Sequence, residues 1–150
     1  MKIGVLSDTH GHLDNHIMDA LIGTDLILHA GDIDGPEVLQ TLGKIATVVP
    51  VRGNMDYGTW ANDMPREEFV DLGSVLIYII HDLNHISLDP AAADIRIVIS
   101  GHTHRPEIMK NNGVLYLNPG SASFPRGGFN ASIALIEIKG AHVACRHVKV

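Results

Sequence analysis

The sequence has 150 residues, enough for one domain with a sizeable core and too few for two. It is 45% hydrophobic with a formal charge of −6, which excludes a disordered chain and argues against a nucleic-acid surface, since no Lys/Arg cluster offsets the acidity. No apolar run approaches the ~20 residues of a membrane helix, so no membrane partner is expected. The N-terminus enters a strand at Lys2 and reaches Asp8 without a secretory pattern. The single cysteine, Cys145, has no internal disulfide partner and fits a reducing, cytoplasmic setting.

Taken in order, residues 2–7 read as a strand, and residues 12–22 as a helix with Leu13, Ile17, Leu21 and Ile22 at helical spacing and Gly23 as its stop. A second strand spans 25–30. Pro36 opens a short helix over 36–42, carrying Val38, Leu39 and Leu42 and stopped by Gly43. The third strand is 45–51. This alternation points to βαβ units and a mainly parallel sheet.

Residues 54–65 carry turn signals and read as an irregular loop over a site. The segments 66–71, 74–80, 95–99, 106–110, 113–117, 131–138 and 141–148 read as short strands. Leu72-Gly73, Asn112-Gly113 and Lys139-Gly140 are hairpin signals, so this half should be largely antiparallel. A weak helix is expected over 88–93. The whole reads as one domain over 1–150, two sheets face to face with helices outside.

Ten histidines are many for this length, and their placement is informative. The first strand runs into Asp8-Thr9-His10, the second into Gly31-Asp32, the third into Gly53-Asn54, the 74–80 run into His81, and the 95–99 run into Gly101-His102-Thr103-His104. Residues two apart on an extended segment point the same way, so Asp8 and His10, and His102 and His104, form pairs. Glycine before Asp32 and Asn54 permits a tight turn. Five strand ends that each present Asp, Asn or His predict a metal site. Mixed imidazole and oxygen donors suit Mn²⁺, Ni²⁺, Fe, Zn²⁺ or Co²⁺ and disfavour Ca²⁺.

This pattern, continued by Asn118-Pro-Gly-Ser121, resembles the calcineurin-like metallophosphoesterase superfamily, and within it the small single-domain bacterial and archaeal phosphodiesterases. The resemblance spans Ile3 to about Arg126. It implies a four-layer αββα sandwich of two mixed β-sheets and two divalent ions, Mn²⁺ foremost. One ion would take Asp8, His10, Asp32 and His104, and the other Asp32, Asn54, His81 and His102, with Asp32 shared. The implied reaction is hydrolysis of a small phosphate ester, a hydroxide between the ions attacking phosphorus in line, with Asp32, Asn54 and His102 central to it. Two carboxylates against two dications leave the site locally positive despite the acidic chain.

Met55 stands where many members of the superfamily carry a proton-donating His after the Asn, which implies a preference for good leaving groups. Asp56, His12 or a metal-bound water is then the candidate donor. His12, Asp56 and Arg126 are candidate substrate contacts. His81 or His85 completes the second site, and His81 is preferred because it ends the apolar run directly. His29 reads as a core or supporting histidine, and His142 and His147 as solvent-facing. The rival readings are a non-catalytic protein-binding scaffold, since the retromer scaffold subunit resembles this family in fold, and a phosphomonoesterase on the same site. A homo-oligomer is compatible with this reading.

Overall fold

A computed structural model describes residues 1–150 as ten strands in two five-stranded sheets. In the first sheet β1 (Lys2–Leu6), β2 (Leu26–His29) and β3 (Thr47–Pro50) run parallel, with Ile3 opposite Leu26 and Leu26 opposite Thr47. The crossovers are α1 (Asn15–Leu21) and α2 (Pro36–Leu42). Asp14 caps α1 by accepting the Ile17 N–H at 3.0 Å, and Pro36 sits in the first turn of α2, where no amide is needed. The chain returns to this sheet at its end: β9 (Ser132–Lys139) pairs antiparallel with β1, and β10 (His142–Lys149) with β9.

The second sheet has the order β4-β5-β6-β8-β7, from β4 (Glu67–Asp71), β5 (Leu76–Ile80), β6 (Ile97–Ile99), β7 (Pro106–Asn111) and β8 (Val114–Pro119). Asn112 and Gly113 both have positive φ, as a two-residue hairpin requires. The three expected hairpins form. The expectation of a largely antiparallel second half needs correction, because β6 is parallel to both β5 and β8.

Two apolar layers hold the sheets. Between them lie Ile3, Val5 and Leu28 of the first sheet and Ile77, Ile79, Ile97, Ile99 and Leu117 of the second. On the outer face of the first sheet, Leu6, Ile27 and Ile133 meet Ile17 and Leu21 of α1 and Val38 and Leu42 of α2. Both faces of β1 and β2 are therefore covered, which is why those strands read as unbroken apolar runs rather than alternating ones. A Cβ at Gly4 would collide with Leu21, so this glycine sets how closely α1 lies on β1.

The outer face of the second sheet is covered differently. Ile86 and Leu88, following a 3₁₀ turn at Leu83–His85, pack on Tyr78, Ile80, Val98 and Val114. The helix expected over 88–93 is absent. Asp89 Oδ1 takes the Ala91 and Ala92 N–H groups at 3.0 and 3.3 Å, and Asp94 turns left-handed at φ 56°, so one capped turn replaces it. Residues 54–65 are less irregular than expected, since Thr59–Asn62 forms a one-turn helix, α3. No helix is long and apolar enough to cross a membrane.

Candidate metal centre

The C-terminal ends of β1, β2, β3, β5 and β6 converge where the two sheets meet. Asp8 and His10 follow β1, Asp32 follows β2, Asn54 follows β3, His81 follows β5, and His102 and His104 follow β6. Asp8, His10, Asp32, His102 and His104 all sit at positive φ, between 46° and 67°. Non-glycine residues accept that conformation at a cost of about 1–3 kcal/mol each, so the surroundings must enforce it.

The enforcement is visible. Amides of Asp8, His10 and Gly11 donate to the carbonyls of Gly31, Asp32 and Ile33 at 3.0, 3.1 and 2.7 Å, zipping the first loop to the second. Asp56, fully buried, receives the amides of Asp32, Ile33, Asp34 and Gly53 on its two oxygens at 2.7–3.1 Å. Any Cβ at Gly53 would strike Asp32, so the third loop presses on the second only because this residue is glycine. Asn118 ties down the loop after β6, donating to Gly101 O at 2.7 Å and Thr103 Oγ1 at 3.1 Å, while Ser121 Oγ donates to Asp8 O at 2.8 Å.

Within this frame the donor atoms face one another. His104 Nε2 lies 3.3 Å from Asp8 Oδ1, and His81 Nε2 lies 3.4 Å from Asp32 Oδ2. His10 Nε2 is 4.0 Å from the same Asp32 oxygen, which therefore has two imidazoles near it. Asn54 Oδ1 stands 3.0 Å from both His81 Nε2 and His102 Nδ1. Donors of Asp8, His10 and His104, and of Asp8, Asp32 and His81, fall within 4.8 Å of one another.

The far ring nitrogens decide what these contacts mean. Nδ1 of His10, His81 and His104 lies 2.8, 2.7 and 2.6 Å from Asp34 Oδ2, Ala30 O and Phe124 O. Carboxylate and carbonyl oxygens only accept, so each Nδ1 carries the proton and each neutral ring turns its Nε2 lone pair inward. There those lone pairs meet carboxylate oxygens, which repel them unless a positive charge intervenes. Without a metal that charge is a proton. The Asp8 carboxylate facing it raises the His104 pKa against an opposing burial penalty. Burial would lower His81, but Asp32 outweighs it and the net shift is upward. Burial alone would raise Asp32, yet the paired His81 brings it down. Asp8 Oδ1 and His10 Nε2 are buried without any hydrogen-bond partner. Orphaned donors of both kinds, aimed at one spot, fit divalent transition ions.

The other expected residues differ in depth. Asp56 is neither a substrate contact nor a proton donor, because its carboxylate is buried and saturated by backbone amides. His85 is exposed, whereas His81 is buried with Nε2 3.4 Å from Asp32 Oδ2 and 3.0 Å from Asn54 Oδ1. His12 is exposed, and its backbone carbonyl accepts Ser123 Oγ at 2.7 Å. Arg126 is exposed on an open cleft of about 600 Å³ shared with His10, Met55 and Phe124. His29 is a buried support: Gly31 N–H donates to its Nδ1, and its Nε2 lies 3.0 Å from Thr9 Oγ1. Burial holds its pKa down at about 4. His147, expected in solvent, is half-buried with Nε2 on Asn118 O at 2.8 Å. Asp34, the support of His10, has only a faint signal in the sequence: it stands two residues after Asp32 as His10 stands after Asp8.

Two face-to-face mixed sheets with Asp, Asn and His gathered at their strand ends define a metallophosphoesterase architecture, and comparison with known proteins agrees. The calcineurin-like phosphoesterase superfamily domain matches residues 1–141, and the chain belongs to that superfamily. A probable metallophosphoesterase of Methanocaldococcus jannaschii is 37% identical, the match covering 84% of this chain and 70% of the relative. A phosphodiesterase of the same organism is 29% identical, covering 80% and 83%. Vps29 of Entamoeba histolytica, crystallised with zinc, superposes with a TM-score of 0.79 over 99% of both chains at 24% identity, a likeness of fold.

Proposed function

We propose that the chain is a phosphodiesterase that works with two divalent transition-metal ions, Mn²⁺ foremost and Ni²⁺, Fe, Zn²⁺ or Co²⁺ as alternatives. The observation that carries this reading is the set of inward-facing imidazole nitrogens opposed to Asp8 and Asp32, with Asp8 Oδ1 and His10 Nε2 left unpartnered. Asp8, His10, Asp32 and His104 would hold one ion, and Asp32, Asn54, His81 and His102 the other. Such ions supply an activated water and neutralise charge developing on the phosphoryl oxygens.

The chain's own part is positioning. Asp34, Ala30 and Phe124 fix the rings of His10, His81 and His104 so that no reorganisation is needed when ligands bind. Asn54 and His102, on the open side, orient the ester; the His102 side chain is 41% exposed whereas that of Asp8 is 0%. Met55 offers no proton to the departing alcohol, and neither does the saturated Asp56, so good leaving groups such as aryl alcohols are favoured. The phosphodiesterase relative supports diesters over monoesters as substrates. The lone cysteine supports a reducing, cytoplasmic location.

A scaffold of the same fold is the competing reading, and the seven converging donors speak against it. The decisive experiment strips the protein, restores each ion singly, and follows bis(p-nitrophenyl) phosphate beside p-nitrophenyl phosphate. Release of nitrophenolate from the diester with at least one ion is expected. Inactivity with every ion, despite metal uptake by a folded chain, would establish the scaffold, and faster monoester turnover a phosphomonoesterase.

A further inference from the structure

A cavity of about 520 Å³ opens beside Asn54, His81 and His102. Its wall includes Arg52, just after β3, Arg66, just before β4, and His85 of the 3₁₀ turn. The two carboxylates on the same wall are already engaged. Glu67 accepts the hydroxyl of buried Tyr78, and Asp82 caps the 3₁₀ turn through Asn84 and faces His102 Nε2 at 3.7 Å. Burial and the neighbouring Glu67 both push the Tyr78 pKa up, so the phenol keeps its proton and Glu67 stays an acceptor.

The guanidinium groups are not so engaged. Every ion pair in the chain involves a histidine, so neither Arg52 nor Arg66 has a carboxylate partner. Arg52 donates Nε–H to the carbonyl of Asp56 at 3.0 Å, which anchors the side chain and leaves its outer nitrogens free. Arg66 is exposed at the cavity mouth. Two unpaired guanidinium groups on one cavity, one of them anchored in advance, match the oxygens of a phosphate better than those of a neutral group.

We propose that this cavity is a second anion subsite, and that the substrate is a phosphodiester in which one esterified alcohol carries a further phosphate, as in a nucleotide bearing two. The inference rests on the phosphodiesterase reading and adds the substrate class. In the hydrolysis a water oxygen bonds to phosphorus, the bond from phosphorus to the leaving oxygen breaks, and the water's protons end on the leaving alcohol and the solvent. The second phosphate, held by Arg52 and Arg66, takes no part in bond changes and serves to orient the ester.

The test compares p-nitrophenyl thymidine 5′-phosphate with the same ester carrying a 3′-phosphate, using the metal-loaded chain. The 3′-phosphorylated ester should have the higher kcat/KM by about ten-fold, and Arg66→Gln should erase most of that ratio. Arg52→Lys, which keeps the charge and loses the Nε anchor, should reduce the ratio in part. Calorimetry with thymidine 3′,5′-bisphosphate and thymidine 5′-monophosphate should show the same preference in binding and the same loss in the Arg66→Gln protein. Equal affinity for the two nucleotides, or an equal effect of Arg66→Gln on both esters, overturns the subsite. If neither ester is cleaved with any ion, the phosphodiesterase reading fails, while the calorimetric ratio still judges the subsite.

Discussion

The two halves of the centre are built to different specifications. Around Asp8, Asp32, His81 and His104 exposure is at most 4%, and each side chain has a second anchoring contact behind it. Around Asn54 and His102 the surface is open, and the nearest partner of His102 Nε2 is Asp82 at 3.7 Å. The difference separates two tasks. Concentrated charge has to be enclosed where water cannot dilute it, whereas an ester has to enter and leave.

The sharpest way to break this comparison is to remove a carboxylate from the closed half. Asp8→Asn or Asp32→Asn should lower turnover by about 10³-fold and leave fewer than two ions per chain by elemental analysis. His102→Ala, in the open half, should lose turnover while retaining most of the metal. Equal metal loss in both halves would erase the distinction.

Next in size is Asp56, which serves neither half directly but sets the distance between them. Asp56→Ala strands four amides, at about 1–3 kcal/mol for each one that stays dry, and should lower the denaturation midpoint steeply. A midpoint unchanged in urea would show that water replaces the carboxylate without loss.

Titration of His29 gives a smaller effect with a fixed sign. Its folded pKa of about 4 lies below the unfolded 6.5, so between those values the unfolded chain binds the extra proton. The stability it contributes is complete above pH 6.5 and drains away as pH falls toward 4, about 3 kcal/mol in all. His81 and His104 have raised values and act in the opposite sense, losing their share as pH rises. The difference in unfolding free energy between wild type and His29→Asn should therefore narrow from pH 7 to pH 5. A difference independent of pH would contradict the assignment.

The smallest effect belongs to Asp34, the exposed anchor of His10. Asp34→Ala should weaken metal binding by about 10–100-fold, read by competitive titration against a chelating dye, with little change in folding.

What the sequence reveals follows the same division. Strands that end in Asp, Asn or His are legible because apolar runs and their terminators are local. So were the hairpins, which Gly73, Gly113 and Gly140 announce through their need for positive φ. The role of Asp56 is not legible because its partners are amides, identical in every residue and invisible in the letters. The parallel pairing of three-residue β6 depends on β5 and β8, neither of which its own composition specifies. The helix expected over 88–93 gives way to a single turn, which the Asp89 carboxylate caps and the left-handed Asp94 ends.

The rings of His10, His81 and His104 are aimed by oxygen atoms of the polypeptide itself. A receptacle shaped that way exists before its contents arrive, and it can exchange one cation for another without refolding. The inorganic content of a purified sample would then record the medium in which the cells were grown as faithfully as it records the gene.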